Sequence, residues 1–472
     1  MLGQNAKFKM HLHLLVLLLA CAFNSSGTTY YIDCESGNDS NSGTATDSAW
    51  RSLLNAQEAK LNPGDSILLS KGCIWNESLL ITNGGTSENH IVISSYGSNA
   101  SPPILRGTRS RRFSYSATLP DNFPNQVFID DQLFVGSCDS KEATLASKFG
   151  VTPDDRTSIE VDYPEHKNGI VLRGDYIELK GITVERYRNV GIKIFGKNCC
   201  IDNCQINDIP KTGMQFILSD SSIVTNTRFS NIGFDSNPCC KGPECGHLGN
   251  GIFIALDKAE NTFTQNIRIL NNTFERIGSF SGDHGVYDNG HNTIYINNSF
   301  SNCIGTGIKL DGEKAFVFNN RLDSCITAGI LIDGGSNHEI VNNELSNCGF
   351  YSRNWGRQGA IWYVEETEQK HKHPTPGGAD IRLNKIIGGD IGLKVSNTSN
   401  NLVLENNQFS SQKIRISNKR PLAEKLKRTD TATSTKAFRS KLFSGYNEEI
   451  SINREEAKIG IIQHLRSAHF DH

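Results

Sequence analysis

The densest set of reactive side chains in this 472-residue chain lies between residues 283 and 366. Asp283, His284, Tyr287 and Asp288 share one hexapeptide, and Lys309, Asp311 and Asp333 follow. Tyr287 and Lys309 are 22 residues apart, as are Asp311 and Asp333. Beyond them come Arg353, Trp355, Arg357, Trp362, Tyr363, Glu365 and Glu366. Aromatic rings stack on the CH faces of sugars and carboxylates pair with Arg, so this second group suits substrate binding to a sugar chain. Proton abstraction beside a sugar carboxylate needs three groups: a cation to neutralise that carboxylate, a base for the C5 proton and an acid for the leaving oxygen. Lys309 or His284 could be the base, Tyr287 the acid or base, and an Arg the neutraliser. Plainer roles compete. Asn289-Gly290, Asp311-Gly312 and Asp333-Gly334 are turn formers, so a structural turn ladder stands beside a Ca²⁺ site on Asp311 and Asp333 or a glycosidase carboxylate pair. An outward Lys is usually solvated, so Lys309→Ala is expected to leave the thermal midpoint nearly unchanged. His284 also reads as a polar residue at a strand start, and the aromatic loop as packing over the body. Arg321 and His338 fall on turns further round.

The elements that must position these groups are repeats. Asn, two residues, then a large apolar residue recurs at Asn203–Ile206, Asn226–Phe229, Asn271–Phe274, Asn297–Phe300, Asn319–Leu322, Asn342–Leu345, Asn384–Ile387 and Asn406–Phe409. Successive intervals are 23, 45, 26, 22, 23, 42 and 22 residues, a unit of 22–23 with two long gaps. A fixed period of this size means a solenoid whose units bury a core only by stacking. About ten residues after the Asn comes a Gly-Ile-x-Ile phrase, as in Gly307-Ile308-Lys309-Leu310. Alternating apolar and β-branched residues read as strands, and no helical pattern separates them. Three short strands per coil, stacked in parallel, fit the period. The phrase Asn reads as an inward ladder, and Cys303, Cys325 and Cys348 as a buried column at one register. The residue between the two apolar positions points outward. That makes Lys193, Gln215, Phe253, Tyr287, Lys309, Leu331 and Lys394 one column. The long gaps, Gly233–Gly249 and Phe350–Ala379, then wall a groove over it.

On these repeats, and on Tyr30-Tyr31-Ile32-Asp33, Ala49-Trp50-Arg51-Ser52-Leu53 and Asn62-Pro63-Gly64-Asp65, the chain resembles the right-handed parallel β-helix proteins of the pectate-lyase-like superfamily over about residues 28–410. The resemblance implies an all-β, right-handed parallel β-helix with inserted loops. It implies a polysaccharide-active protein, foremost a polysaccharide lyase acting by β-elimination on a uronic-acid polymer. A glycoside hydrolase using Asp311, Asp333, Glu365 or Glu366 and an inert carbohydrate-binding or adhesion solenoid are the alternatives, because one fold hosts many functions. Lyases of this superfamily often pair Lys or Arg with Ca²⁺, and Lys309 is the position the resemblance carries over. The paired Asp with separate His of pectin-type hydrolases and the Asp-Pro-His of alginate epimerases are absent.

Composition sets the address. Lys7 and Lys9, an apolar run to Leu19 and Ala20-Cys21-Ala22 read as a secretory signal over residues 1–22. Residues 23–107 then form the cap and first coils, 108–167 an insertion, 168–410 the repeat body and 411–472 a basic tail. The tail carries 13 Lys+Arg against 7 Asp+Glu, leaving an acidic body with 35 against 43. Within the tail, Ile450 to Leu465 read as a short capping helix. The thirteen cysteines of a secreted chain permit disulfides, and for Cys239, Cys240 and Cys245, disulfides outrank a zinc site with His247. Sequons at Asn38, Asn76, Asn99 and Asn397 could carry glycans in a eukaryotic host, and those at Asn271 and Asn297, as members of the inward ladder, are expected to stay bare. The expected partner is a polysaccharide, with no nucleic acid, no stable membrane insertion and a monomeric state, at the cell surface or outside it. Beyond Ca²⁺ no cofactor is expected.

Overall fold

A computed structural model describes residues 27–107, 168–233, 249–257, 262–278, 282–349, 359–364, 378–389, 391–396 and 402–410, together with the strand backbone at 112–115, 128–129, 132–133, 156–159 and 413–417. Three long parallel sheets, of twelve, twelve and eleven strands, run side by side. One coil contributes one strand to each. His284–Asp288, Ile294–Ile296 and Ser299–Cys303 make one turn of the solenoid. Thr306–Leu310, Phe316–Phe318 and Arg321–Asp323 make the next. Along the outward column the pairing keeps one register, so Phe253, Tyr287, Lys309, Leu331, Trp362 and Lys394 are successive partners on one sheet. No helix among the described residues is long and apolar enough to cross a membrane.

The apolar anchors fill the interior. Phe229, Phe274 and Phe300 stack ring on ring at centroid separations of 4.7 and 4.4 Å. The Gly of the Gly-Ile phrase is the second residue of the strand that follows, as Gly307 is in Thr306–Leu310. A Cβ on Gly307 would sit 2.6 Å from the Leu322 side chain and 2.7 Å from the Gly329 carbonyl oxygen. Only glycine lets the backbone pass there.

The Asn phrase differs from expectation by one residue. Asn271, Asn297, Asn319, Asn342 and Asn406 take left-handed backbone, with φ between 51° and 58°. Their side chains are half-buried or exposed rather than inward. They still form a chain, with Asn319 Nδ2 donating to Asn297 Oδ1 and Asn342 Nδ2 to Asn319 Oδ1. The inward ladder is built by the following residues Asn272, Asn298, Asn320, Asn343 and Asn384, all buried. Asn384 therefore belongs to the inner ladder, and Leu383 takes the left-handed position before it. Asn271 and Asn297 are likewise on the outer ladder, not buried within the inner one. A turn supplies the reason: the left-handed residue points its side chain away, and the next one turns into the core, where its amide bonds both neighbouring coils.

Cys303, Cys325 and Cys348 stack as an interior column of free thiols, each fully buried. Cys199 and Cys204 are also free thiols, and Cys34 is joined to Cys73. Cys239, Cys240, Cys245 and His247 lie outside the described residues, as do residues 1–22, most of 108–167 and the expected capping helix.

Asn320 Oδ1 accepts the Asn298 backbone N–H and side-chain amide, while its own Nδ2 donates to Asn343 Oδ1 and to the Tyr295 carbonyl. Asn320→Leu strands several of these buried groups, each costing about 1–3 kcal/mol. It is expected to lower the urea midpoint far more than Asn319→Gly, which keeps the left-handed turn. Equal losses for the two variants would show that the outer ladder carries the load.

Candidate functional site

The outward column passes through a charged centre. Lys309 leaves the middle of Thr306–Leu310, and Asp311 follows the end of the same strand. Asp333 occupies the equivalent place one coil on, because Leu310 pairs with Ile332. Lys309 Nζ lies 3.3 Å from Asp311 Oδ2 and 2.9 Å from Asp333 Oδ2. The expectation of a solvated lysine is therefore corrected: its side chain is only 15% exposed, against 10% for Asp311 and 24% for Asp333. Alternation aims it outward, and the two carboxylates fold over it.

Tyr287 lies on the preceding coil with its ring centroid 4.7 Å from the ammonium. The His284 ring meets the Tyr287 ring edge-on at 5.2 Å, and Phe253 follows at 5.3 Å on the other side. His284, Tyr287 and Lys309 thus come together on one face. Burial disfavours the Lys309 cation, yet Asp311 and Asp333 beside it more than reverse this and raise the ammonium above the ordinary lysine range. The Tyr287 hydroxyl is pushed up by burial and by Asp311, so it keeps its proton. Burial also raises Asp311, with Lys309 opposing and Asp333 reinforcing. Asp311 Oδ1 is buried without a hydrogen-bond partner among the described residues. The arrangement holds one buried carboxyl whose hold on a proton is strengthened by burial beside a second, more exposed one.

Two further coils carry the expected binding residues. Trp362 and Leu331 are 4% and 5% exposed and pack together with Ala328 on the outer face. Lys394 Nζ sits 4.9 Å over the Trp362 ring. Tyr363 points inward and is fully buried, since alternation places it beside Ile332 in the core. Its assignment to substrate binding is thereby corrected. Arg353, Trp355, Arg357, Glu365 and Glu366 lie outside the described residues. Arg321 is exposed on a different sheet.

Ca²⁺ takes six to eight oxygens. Asp311 and Asp333 instead converge on an ammonium that fills the space between them. No group of three or more His, Cys, Asp or Glu among the described residues is placed to hold a metal ion. The pair does not fit the cation.

Two interior groups hold positions the sequence did not indicate: His338, expected on a turn, lies in strand Ser336–Val341, and Asp288 faces the core. His338 is buried, with Nδ1 accepting the Ala315 N–H and Nε2 donating to the Gly334 carbonyl. It ties the turn after Asp333 to the coil beneath. Asp288 is 1% exposed, accepts from Gly290 N–H and the Tyr295 hydroxyl, and is raised to about 7 by burial. An Asp before Asn-Gly looks like one more turn residue, and its position in strand alternation was the available signal.

With this geometry in view, the comparisons with known proteins bear on the fold. Residues 248–409 match the family model described as right handed beta helix region. Over 77 residues the chain is 40% identical to a lacto-N-biosidase of Bifidobacterium longum subsp. longum, a match spanning 16% of this chain and 5% of that protein's length. A solved structure titled a glycoside hydrolase aligns with a TM-score of 0.53 at 13% identity, covering 81% of this chain and 96% of that one. An alginate lyase from Paenibacillus sp. str. FPU-7 aligns at 0.46 and 16% identity, covering 76% and 96%. The chain is a right-handed parallel β-helix, as the superfamily resemblance implied. Within that class its particular feature is a lysine clamped by two aspartates from adjacent coils.

Two outcomes test this geometry. Lys309→Met leaves two carboxylates facing each other and should cost about 3 kcal/mol. The loss of thermal midpoint should be larger at pH 8 than at pH 4, where protonation relieves the repulsion. An unchanged midpoint at pH 8 contradicts the clamp. His338 is lowered from 6.5 to about 4 by burial. Between those values the unfolded chain binds a proton that the folded chain refuses, so stability falls as pH drops through that window and is flat above it. Thermal midpoints of His338→Gln should fall less steeply there than those of wild type.

Proposed function

We propose that the protein is a glycan-cleaving enzyme outside the cell and that Asp311 and Asp333 hydrolyse a glycosidic bond. The observation that carries this reading is the Lys309 clamp. A lysine held as an ammonium by two carboxylates is a poor base, which weakens elimination by Lys309. The carboxylates it holds differ in environment, the condition that separates an acid from its partner. Asp311, buried and raised, supplies the proton to the leaving oxygen. Asp333 acts on the anomeric carbon, and water then releases the sugar. Two oxygens at 3.3 and 2.9 Å from one nitrogen lie within about 6 Å of each other. The likeness to a lacto-N-biosidase over 77 residues supports hydrolysis. The Cys34–Cys73 bridge supports an oxidising compartment and hence secretion. The reading places no Ca²⁺ between the two aspartates. Its partner is a polysaccharide or oligosaccharide and its working form one chain.

A second reading keeps β-elimination, with His284 as base and Tyr287 as acid on a uronic-acid polymer. The edge-on His284–Tyr287 contact beside the Lys309 cation favours it. Incubation with a glycan panel separates the two. New reducing ends without unsaturated-product absorbance support hydrolysis, and that absorbance supports elimination. Binding without either product leaves an inert solenoid and overturns both.

Under hydrolysis, Asp333→Asn should lower kcat by about a thousandfold or more, a loss of about 4 kcal/mol in transition-state stabilisation. The alkaline limb of the pH–rate profile should belong to Asp311, whose raised carboxyl loses its proton as pH increases. Asp311→Asn should abolish that limb along with most turnover on substrates with poor leaving groups. A full alkaline limb in this variant assigns the acid elsewhere.

A further inference from the structure

Asp288 is out of place in its own column. The residues above and below it at this register are Ile254, Leu310 and Ile332, all fully buried and apolar. Its nearest side-chain partner, Tyr295, stands between Ile269 and Val317 in the adjoining interior column. A carboxyl in such surroundings is a cost unless something in the fold uses it. Filling both positions with apolar side chains of similar shape is close to neutral for stability or favourable. Neither the repeat nor the core requires an acid here.

What Asp288 touches leads to the site. Oδ2 accepts the Tyr295 hydroxyl at 2.8 Å. Oδ1 accepts the Gly290 N–H at 2.7 Å and the Thr293 hydroxyl at 3.4 Å, which closes the turn over residues 288–290. That turn is the seat of the next one. The Asp288 carbonyl receives the N–H of Asp311 at 2.8 Å and of Gly312 at 3.1 Å, and the Gly290 carbonyl receives that of Glu313 at 3.0 Å. A Cβ on Gly312 would lie 1.7 Å from the Gly290 oxygen, so the two turns are in backbone contact. Any slack at residues 288–290 passes directly to the main chain that carries Asp311.

The geometry points to Asp288, braced by Tyr295, as a positioning residue that fixes the backbone of Asp311 from inside the solenoid. The inference rests on the reading of Asp311 as the proton donor. It accounts for an interior acid beneath one carboxylate of the pair, while His338 holds the turn that follows the other.

The test replaces the brace with what the neighbouring coils use. Asp288→Leu/Tyr295→Phe in the full chain should keep or raise the thermal midpoint. Its kcat on a cleaved glycan should fall at least tenfold while KM stays within about threefold. Backbone hydrogen exchange over residues 311–313, read by mass spectrometry, should quicken. Wild-type kcat together with wild-type exchange overturns the inference. If the double variant does not fold, Tyr295→Phe alone decides: a lower kcat at constant KM supports the brace, and wild-type kcat overturns it. If the wild-type protein cleaves no glycan, the hydrolytic reading fails and exchange alone decides. Faster exchange at 311–313 then supports Asp288 as the anchor, and unchanged exchange removes it.

Discussion

Parallel stacking of coils at the spacing of hydrogen-bonded strands, roughly 4.8 Å, is the constraint on which the rest depends. Successive coils return to the same three sheets, so one position in the repeat becomes a line through the molecule. In the interior the line must be continuous, because each coil covers the core of the next. Phenylalanines stack into a column, amides chain from Asn272 to Asn384, and thiols form a third column at Cys303, Cys325 and Cys348. Outside, the same spacing brings one side chain per coil within reach of its neighbours. Tyr287, Lys309 and Asp333 meet because their coils are consecutive.

That regularity made the fold legible and limited what could be read of the site. A 22-residue period and the alternation of the Gly-Ile-x-Ile phrases were enough for a solenoid of three strands per coil. The Asn-Asn doublets were misassigned by one position, since sequence alone does not tell which member takes the left-handed turn. The difference turns on backbone φ: Asn319 adopts +56° and Asn320 faces inward with several partners. Lys309 and Tyr287 were legible as a column because alternation fixes direction, and His284 only as a flanking residue at the start of the same strand. The burial of Lys309 was not, because it comes from two aspartates that turn formation alone explains. Asp288 was hidden for the same reason. Asp-Asn-Gly reads as a turn, whereas its side chain sits where Leu310 sits one coil later.

The charged centre has an electrostatic logic of its own. Two carboxylates at one register on adjacent coils would repel each other, and in a partly buried setting the repulsion is strong. Lys309 removes that conflict and is itself held as a cation by it. The lysine therefore need not take part in proton transfer to be indispensable. Its neighbours on the outer face, Tyr287 and His284, form an aromatic shoulder that shields the ammonium on one side.

A repeat makes paired acids easy and distinct acids hard. Placing Asp at one register of two coils gives two carboxylates with the same backbone and nearly the same outlook, whereas acid–base chemistry requires them to differ. Here Asp311 differs from Asp333 in burial, 10% against 24% exposed, and burial is the first cause that raises it. Asp288 and Tyr295 interrupt the apolar interior beneath Asp311, and His338 interrupts it at the turn that follows Asp333. Of the six buried Asp and His side chains among the described residues, five fall between residues 283 and 338. The ionisable groups inside this solenoid are concentrated behind its charged outer centre. Stacking alone would have left apolar residues there, as it did on the coils to either side.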